Sequence, residues 1–320
     1  MSATAIPVGT RVAATSADSD SFWQGPVTRH RRARPTVDWS YAVAGDGPAI
    51  VLLHGTGSAI HTWRGLGPLL AERFQVVAID LPGHGDSDVR RPDVLTLNGM
   101  AAALADLLVD MAIEPQLIIG HSAGAAVAAQ LAIGYGVTPQ KLVALNGAFL
   151  RYGGPAQSLF APLAGVLAGS RWVTELVASR ADDIDQVDRM IRSTGSKLDA
   201  TGLRAYQQTL SSPQRISATL TMMAKWRVEP LFNALSQLTT PLHLIVGRRD
   251  AAVTPWQSDR VIRACPAAYK SEIDAVGHLM HEEQPAMVAA VILADIDRDG
   301  ANAQQVSAPK PANYNKRSEK

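Results

Sequence analysis

The sequence predicts an α/β protein: a mostly parallel central sheet flanked by helices, with a helical cap inserted into it. Three observations lead there. Short apolar runs alternate with helix-like stretches over most of the chain, as in a parallel sheet covered on both faces. The alternation stops after Asn146 and resumes near Leu242. A small-residue pentapeptide, Gly120-His121-Ser122-Ala123-Gly124, stands between an apolar run and a helix-forming run.

The expected strands, in order, are Ser40 to Ala44, Ala49 to Leu53, Phe74 to Ile79, Gln116 to Ile119, Lys141 to Leu145, Leu242 to Val246 and Lys270 to Ile273. Each is a short apolar run rich in β-branched residues or leucine and bounded by turn residues. Helical spacing of apolar residues predicts Thr62 to Ala71, Leu97 to Met111, Ala123 to Gly134, Trp256 to Arg263 and Pro285 to Ala294,. Between about Phe149 and Gln237 only helix-like segments occur: Val173 to Ala181, Ile184 to Ser193, Leu198 to Leu210 and Ile216 to Trp226. The expected organisation is therefore a core over 21–148 and 238–300 and a cap over 149–237. Polar tails are expected at 1–20 and 301–320,.

Composition removes several classes of function. Lys and Arg number 30 against 29 Asp and Glu, for a net charge of +1, so no overall field attracts nucleic acid. A single cysteine, Cys265, excludes an internal disulfide and a cysteine-rich metal knuckle,. No apolar run reaches the roughly 18 to 20 residues a membrane span needs, and the first 20 residues lack a secretory apolar core,. A cytoplasmic location is expected, with no cofactor.

The pentapeptide fits G-x-S-x-G, in which a strand turns sharply into a helix and lifts a serine clear of the sheet. Small flanking residues are required because backbone approaches backbone there. Ser122 is thus the expected nucleophile, and the N-terminus of the following helix favours negative charge beside it. Leu52-Leu53-His54-Gly55-Thr56-Gly57-Ser58 closes an earlier strand. Its loop suits half of an oxyanion hole, with backbone N–H groups of Thr56 and Ala123 as donors. His54 reads as a residue that shapes this loop. The Asp80 to Ser87 loop reads as a brace below the site, and neither Asp80 nor His84 is assigned a proton transfer. An acid and then a histidine should follow at later strand ends. Asp250, after the glycine turn that ends Leu242 to Val246, and His278, after Ala275-Val276-Gly277, occupy those places; Asp274 is the reserve acid.

In these motifs the chain resembles the α/β-hydrolases from Ala49 to about Leu293, with the cap inserted after the strand ending at Leu145. Further segments narrow the resemblance: Leu145-Asn146-Gly147-Ala148, Ser193-Thr194-Gly195-Ser196, Leu198-Asp199-Ala200 and Met222-Met223-Ala224-Lys225-Trp226. With the His54 loop and Gly120 to Ala125, they are similar to the magnesium-chelatase accessory proteins of bacteriochlorophyll biosynthesis. The resemblance implies a planar tetrapyrrole as substrate or ligand and a contact with magnesium chelatase.

Other features leave two readings open. Met222, Met223 and Trp226 would line an apolar substrate pocket or pack between cap helices. The basic run Arg29 to Arg34 would touch an anionic surface or form a solvated arm. His278 and His281 are three apart, but no motif supplies a third ligand, so no metal is expected. His30, His61, His121 and His243 receive no role. Two functions follow: a serine esterase acting on a small or medium hydrophobic ester, which the resemblance above links to tetrapyrrole metabolism, or an accessory protein that keeps the fold and assists the chelatase.

Overall fold

A computed structural model describes residues 23–150 and 170–307. The expected tail at 1–20, the cap residues 151–169 and the chain after 307 lie outside the described residues. Nine strands form one sheet: β1 (Thr28–Ala33), β2 (Val37–Ala44), β3 (Ala49–Leu53), β4 (Gln75–Ile79), β5 (Asp88–Val89), β6 (Leu117–His121), β7 (Lys141–Leu145), β8 (Leu242–Gly247) and β9 (Ala268–Ile273). Their order is β1-β2-β4-β3-β6-β7-β8-β9, with β5 on the outer part of β2. From β4 through β9 every neighbouring pair on this path is parallel, while β1, β2 and β5 pair antiparallel at one side.

The apolar runs sit in the middle of this sheet because both of its faces are covered. Successive side chains of a strand point to opposite faces. Val51 and Leu53 of β3 join a core with Met100, Leu104 and Val127. Ile50 and Leu52 join a second core with Leu66, Leu70, Val288 and Ile292. Helices α2 (Leu97–Asp110) and α3 (Ala123–Gly134) cover the first face, and α1 (Leu66–Ala71) and the C-terminal α11 (Pro285–Ser307) cover the second. α11 continues to Ser307, past the expected start of the tail at 301.

Between β7 and β8 the described residues contain helices only: α4 (Arg171–Arg180), α5 (Ile184–Ser193), α6 (Ala200–Leu210), α7 (Pro213–Lys225) and α8 (Glu229–Ala234). Three of them start on side-chain caps, with Asp183, Asp199 and Ser212 accepting backbone N–H groups of the first turn,. α9 (Trp256–Ala264) and the short α10 (Met280–Glu283) complete the helices.

The basic run is neither a solvated arm nor an open cationic surface. Most of it forms β1, in which Arg29 pairs with Asp86 at 3.1 Å, Arg31 with Asp88 at 3.2 Å and Arg32 with Asp110; Arg34, just past the strand, also pairs with Asp110, at 2.8 Å. A strand of charged residues at a sheet edge resists pairing with another chain. Its charge also hides it from a search for apolar alternation.

At the opposite end of the sheet from Ser122, α11 is tied to three strands through one buried carboxylate. Asp295 takes Lys141 Nζ at 2.5 Å and the Tyr269 hydroxyl at 2.6 Å, and His243 Nδ1 lies 3.0 Å away. Burial alone would raise the Asp295 carboxyl, but the Lys141 and Tyr269 donors outweigh it and hold it below the usual range. Removing one member of a buried ion pair strands the other. Asp295→Ala is expected to cost about 3 kcal/mol or more in urea unfolding. The double variant Lys141→Met with Asp295→Leu should recover most of that loss. Equal stability of Asp295→Ala and the parent protein would contradict this account.

Candidate active site

Ser122 sits where β6 ends and α3 begins, at φ 51° and ψ −116°. A side chain at positive φ costs of order 1–3 kcal/mol and persists only where the surroundings enforce it. They do so by three backbone hydrogen bonds. The Ser122 N–H donates to Leu145 O at 3.0 Å, and its carbonyl accepts the N–H groups of Ala125 at 3.1 Å and Ala148 at 3.0 Å. The flanking glycines are obligatory. A Cβ at Gly120 would lie 2.4 Å from Ala125 N, and one at Gly124 would lie 2.2 Å from Leu53 O. Ser122 itself is buried.

Asp250 and His278 meet. His278 Nδ1 donates to Asp250 Oδ2 at 2.8 Å, which leaves Nε2 as the basic nitrogen of the neutral ring. The other carboxylate oxygen, Oδ1, accepts N–H groups from Ala252 and Val253, each at 2.8 Å. With both oxygens engaged, the carboxylate is fixed in orientation. Asp274 is 82% exposed at its side chain and pairs with Arg248; the reserve acid is thus turned to solvent.

Asn146, quoted above only as part of a segment, ties these loops together. Its own backbone is at φ 47°. Its side-chain oxygen accepts the Gly247 N–H at 2.8 Å, and its Nδ2 donates to the carbonyls of Gly277 and His278, each at 3.0 Å. His121 adds a further bond from Nε2 to His278 O at 3.0 Å, and its ring lies 4.6 Å from the His278 ring. The variable position of the pentapeptide therefore braces the histidine loop. The one sequence feature at Asn146 is an asparagine followed by glycine directly after an expected strand, a residue type that tolerates left-handed backbone,.

Ala123 opens α3 beside Ser122, and Thr56 stands half-buried in the His54 loop. His54 shapes that loop: its Nε2 accepts the Leu81 N–H at 2.9 Å, so Nδ1 carries the proton given to Gly55 O at 2.8 Å. Asp80 is wholly buried and accepts the N–H groups of Ile60 at 2.8 Å and Asp86 at 3.0 Å, a brace between two loops. In the cap, Met222 is buried in the core cluster with Val228 and Leu231, and Trp226 packs half-buried against the same cluster. Met223 is exposed. Met222 and Trp226 thus pack against the core cluster, and Met223 does not.

Around the site lies a set of buried ionisable groups to which the sequence assigned no proton transfer. Burial lowers His54 to about 4 and His61, His84 and His281 to about 3, and it holds His121 well below its ordinary value. Glu282 accepts Thr62 Oγ1 at 2.6 Å and the Tyr206 hydroxyl at 2.9 Å, and burial pushes it up to about 7. Tyr206 belongs to α6 of the cap, so this network joins cap to core.

These shifts set a pH dependence of stability. Five histidines are neutral when folded and take protons when unfolded below their ordinary value near 6.5, so each removes stability as the pH falls. Glu282 acts in the opposite sense between about 7 and its ordinary 4.5. At pH 5 the histidines, being more numerous, outweigh Glu282, so unfolding takes up protons and stability falls with the pH,. Urea unfolding followed from pH 8 to 4.5 should show stability lost steeply below about pH 6.5. A flat profile across that range would contradict the neutral, buried state of these rings.

The architecture and the comparisons with known proteins agree. A model of the alpha/beta hydrolase family matches residues 50–291. The chain is 35% identical over 265 residues to the magnesium-chelatase 30 kDa subunit of Rhodobacter capsulatus, covering 82% of this chain and 92% of that one. It is 26% identical over 260 residues to the pimeloyl-[acyl-carrier protein] methyl ester esterase of Aeromonas hydrophila, covering 78% and 95%. In three dimensions it is similar to an α/β-hydrolase-fold protein of Burkholderia ambifaria, with a TM-score of 0.70, 21% identity, and coverage of 83% of this chain and 97% of that one. A strained serine between strand and helix, in a parallel sheet interrupted by helices after β7 and matched over those residues, has one reading: the chain belongs to the alpha/beta hydrolase family.

Proposed function

We propose that the protein is a serine hydrolase of esterase type, with Ser122 as nucleophile, His278 as base and Asp250 as the group that orients and stabilises the histidine. The observation that supports this most is the 2.8 Å bond from His278 Nδ1 to Asp250 Oδ2. It fixes the tautomer in which Nε2 can take the Ser122 proton. Ser122 Oγ attacks the acyl carbon of an ester while its proton passes to His278 Nε2. The developing oxyanion is held by the N–H groups of Thr56 and Ala123. Collapse of the tetrahedral species releases the alcohol, which takes the proton from His278. Water then attacks the acyl-serine by the same route and regenerates Ser122. No metal or cofactor is needed for any of these steps. The kinship with a methyl ester esterase favours a hydrophobic ester substrate. Kinship with a magnesium-chelatase subunit is in keeping with the tetrapyrrole that the sequence resemblance implies.

That same kinship supports a second reading, in which the protein assists magnesium chelatase by contact or by holding pigment and Ser122 is not used. A fluorophosphonate probe followed by peptide mapping tests the first. Labelling at Ser122 is expected, and Ser122→Ala should abolish both labelling and hydrolysis of p-nitrophenyl esters. Asp250→Asn should slow turnover by about 10⁴-fold. An unlabelled Ser122 in the folded protein would turn the judgement to the accessory role. So would full pigment, at normal protein abundance, in cells whose only copy carries Ser122→Ala.

A further inference from the structure

The linker between α5 and α6 touches the acid loop and the histidine loop at once. The Thr194 carbonyl accepts two N–H groups, one from Ala251 at 3.1 Å and one from His278 at 3.3 Å. Those donors are the residue after the acid and the histidine itself, so a single oxygen spans the pair. Ser196, which is buried, accepts the Leu279 N–H through its Oγ at 2.8 Å. Glu283 closes the contact from the core side: its Oε1 accepts the Gly277 N–H at 2.9 Å and its Oε2 accepts the Lys197 N–H at 3.4 Å.

Packing here leaves no slack. Gly195 is at φ +84°, and a Cβ on it would stand 1.9 Å from Arg249 O. A Cβ on Gly277 would stand 2.3 Å from Gly195, and one on Gly247 would stand 2.7 Å from Gly277 O. Three glycines from the acid loop, the histidine loop and the cap thus let three backbones meet.

We infer that Thr194 to Ser196 form a positioning segment, through which the seated cap holds Asp250 and His278 in register for proton transfer. The inference rests on the reading of Ser122, His278 and Asp250 as a triad. Its consequence is a regulation of that site. Displacement of this linker removes the Thr194 carbonyl from both loops and the Ser196 hydroxyl from Leu279, and so loosens the pair. A cap tied to the core only for mechanical strength would leave the histidine–carboxylate bond unchanged when the linker is disturbed.

The test uses the full chain and two readouts: the far-downfield proton resonance of His278 Nδ1–H, and the rate of Ser122 labelling by a fluorophosphonate. Gly195→Ala should weaken or abolish the resonance and slow labelling by about 100-fold, the loss expected for a misplacement near 1 Å. KM for a p-nitrophenyl ester should stay essentially unchanged while kcat falls. Ser196→Ala keeps the backbone conformation and serves if Gly195→Ala does not fold; it should show the same changes with a rate loss of about tenfold. Gly136→Ala is the control. It places a side chain at a comparable φ, +67°, with nothing within 4 Å, and should keep both signals. A resonance and rate in the folded linker variants equal to those of Gly136→Ala would overturn the inference. If the parent shows the resonance but no labelling, the hydrolase reading fails, and the resonance alone decides for or against the positioning segment.

Discussion

Three loops leave the carboxyl edge of the sheet after β7, β8 and β9, and the side-chain amide of Asn146 holds them at fixed separation. Its oxygen takes the N–H of Gly247, where β8 ends and the turn to Asp250 begins. Its nitrogen gives both protons to the carbonyls of Gly277 and His278. A primary amide has two donors and two acceptor sites, and this one uses its donors on the histidine loop and an acceptor on the acid loop. Each partner is a buried backbone group that would be costly to leave unpaired. The loops that carry Asp250 and His278 are therefore tied together from below by Asn146, just past the end of β7, while the Thr194 carbonyl ties them from the cap side.

That arrangement requires unfavourable backbone conformations, and the sheet supplies the stability that sustains them. Ser122, Asn146 and Ala275 all have positive φ, each costing of order 1–3 kcal/mol. All three stand at the ends of strands or in the loops that follow them. β6 and β7, beneath Ser122 and Asn146, are wholly buried along their length, whereas β9, beneath Ala275, is a partly exposed edge strand. At Ser122 and Asn146, relaxing one turn would drag a buried strand with it.

The same packing explains what the sequence revealed and what it concealed. β3 and β7 occupy Ala49 to Leu53 and Lys141 to Leu145 as expected, because strands covered on both faces are continuous apolar runs,. α3 also keeps its expected bounds. β1 was concealed because its arginines are paired with Asp86, Asp88 and Asp110 from distant parts of the chain. α11 outran its apolar stretch because a helix docked by its first turns can continue through polar residues,. At the candidate site, Ser122, Asp250 and His278 were legible from order and turn chemistry. Asn146, Thr194 and Ser196 were not, since a backbone carbonyl has no sequence signature and the partners of a side-chain amide are fixed only by the fold.

The cap is bound to the core by polar contacts as much as by apolar ones. Besides the linker, Arg64 holds Asp199 at the start of α6 at 2.9 Å, Tyr206 reaches Ser58 at 3.2 Å and Glu282 at 2.9 Å, and Arg215 reaches Ser87 O at 2.8 Å. Ser58 and Thr62 follow the loop of Thr56, so the cap helix that carries Tyr206 also grips the segment next to the proposed oxyanion donor. Apolar contact tolerates sliding, whereas hydrogen-bonded pairs in a buried setting have few alternative arrangements. A cap held in this way has one well-defined closed position. His61 is held below its ordinary value by burial where it meets Tyr206 and Thr209 of the cap,. The seating of the cap, the depressed His61 and the contact of Thr194 with the Asp250 and His278 loops thus belong to one packing arrangement.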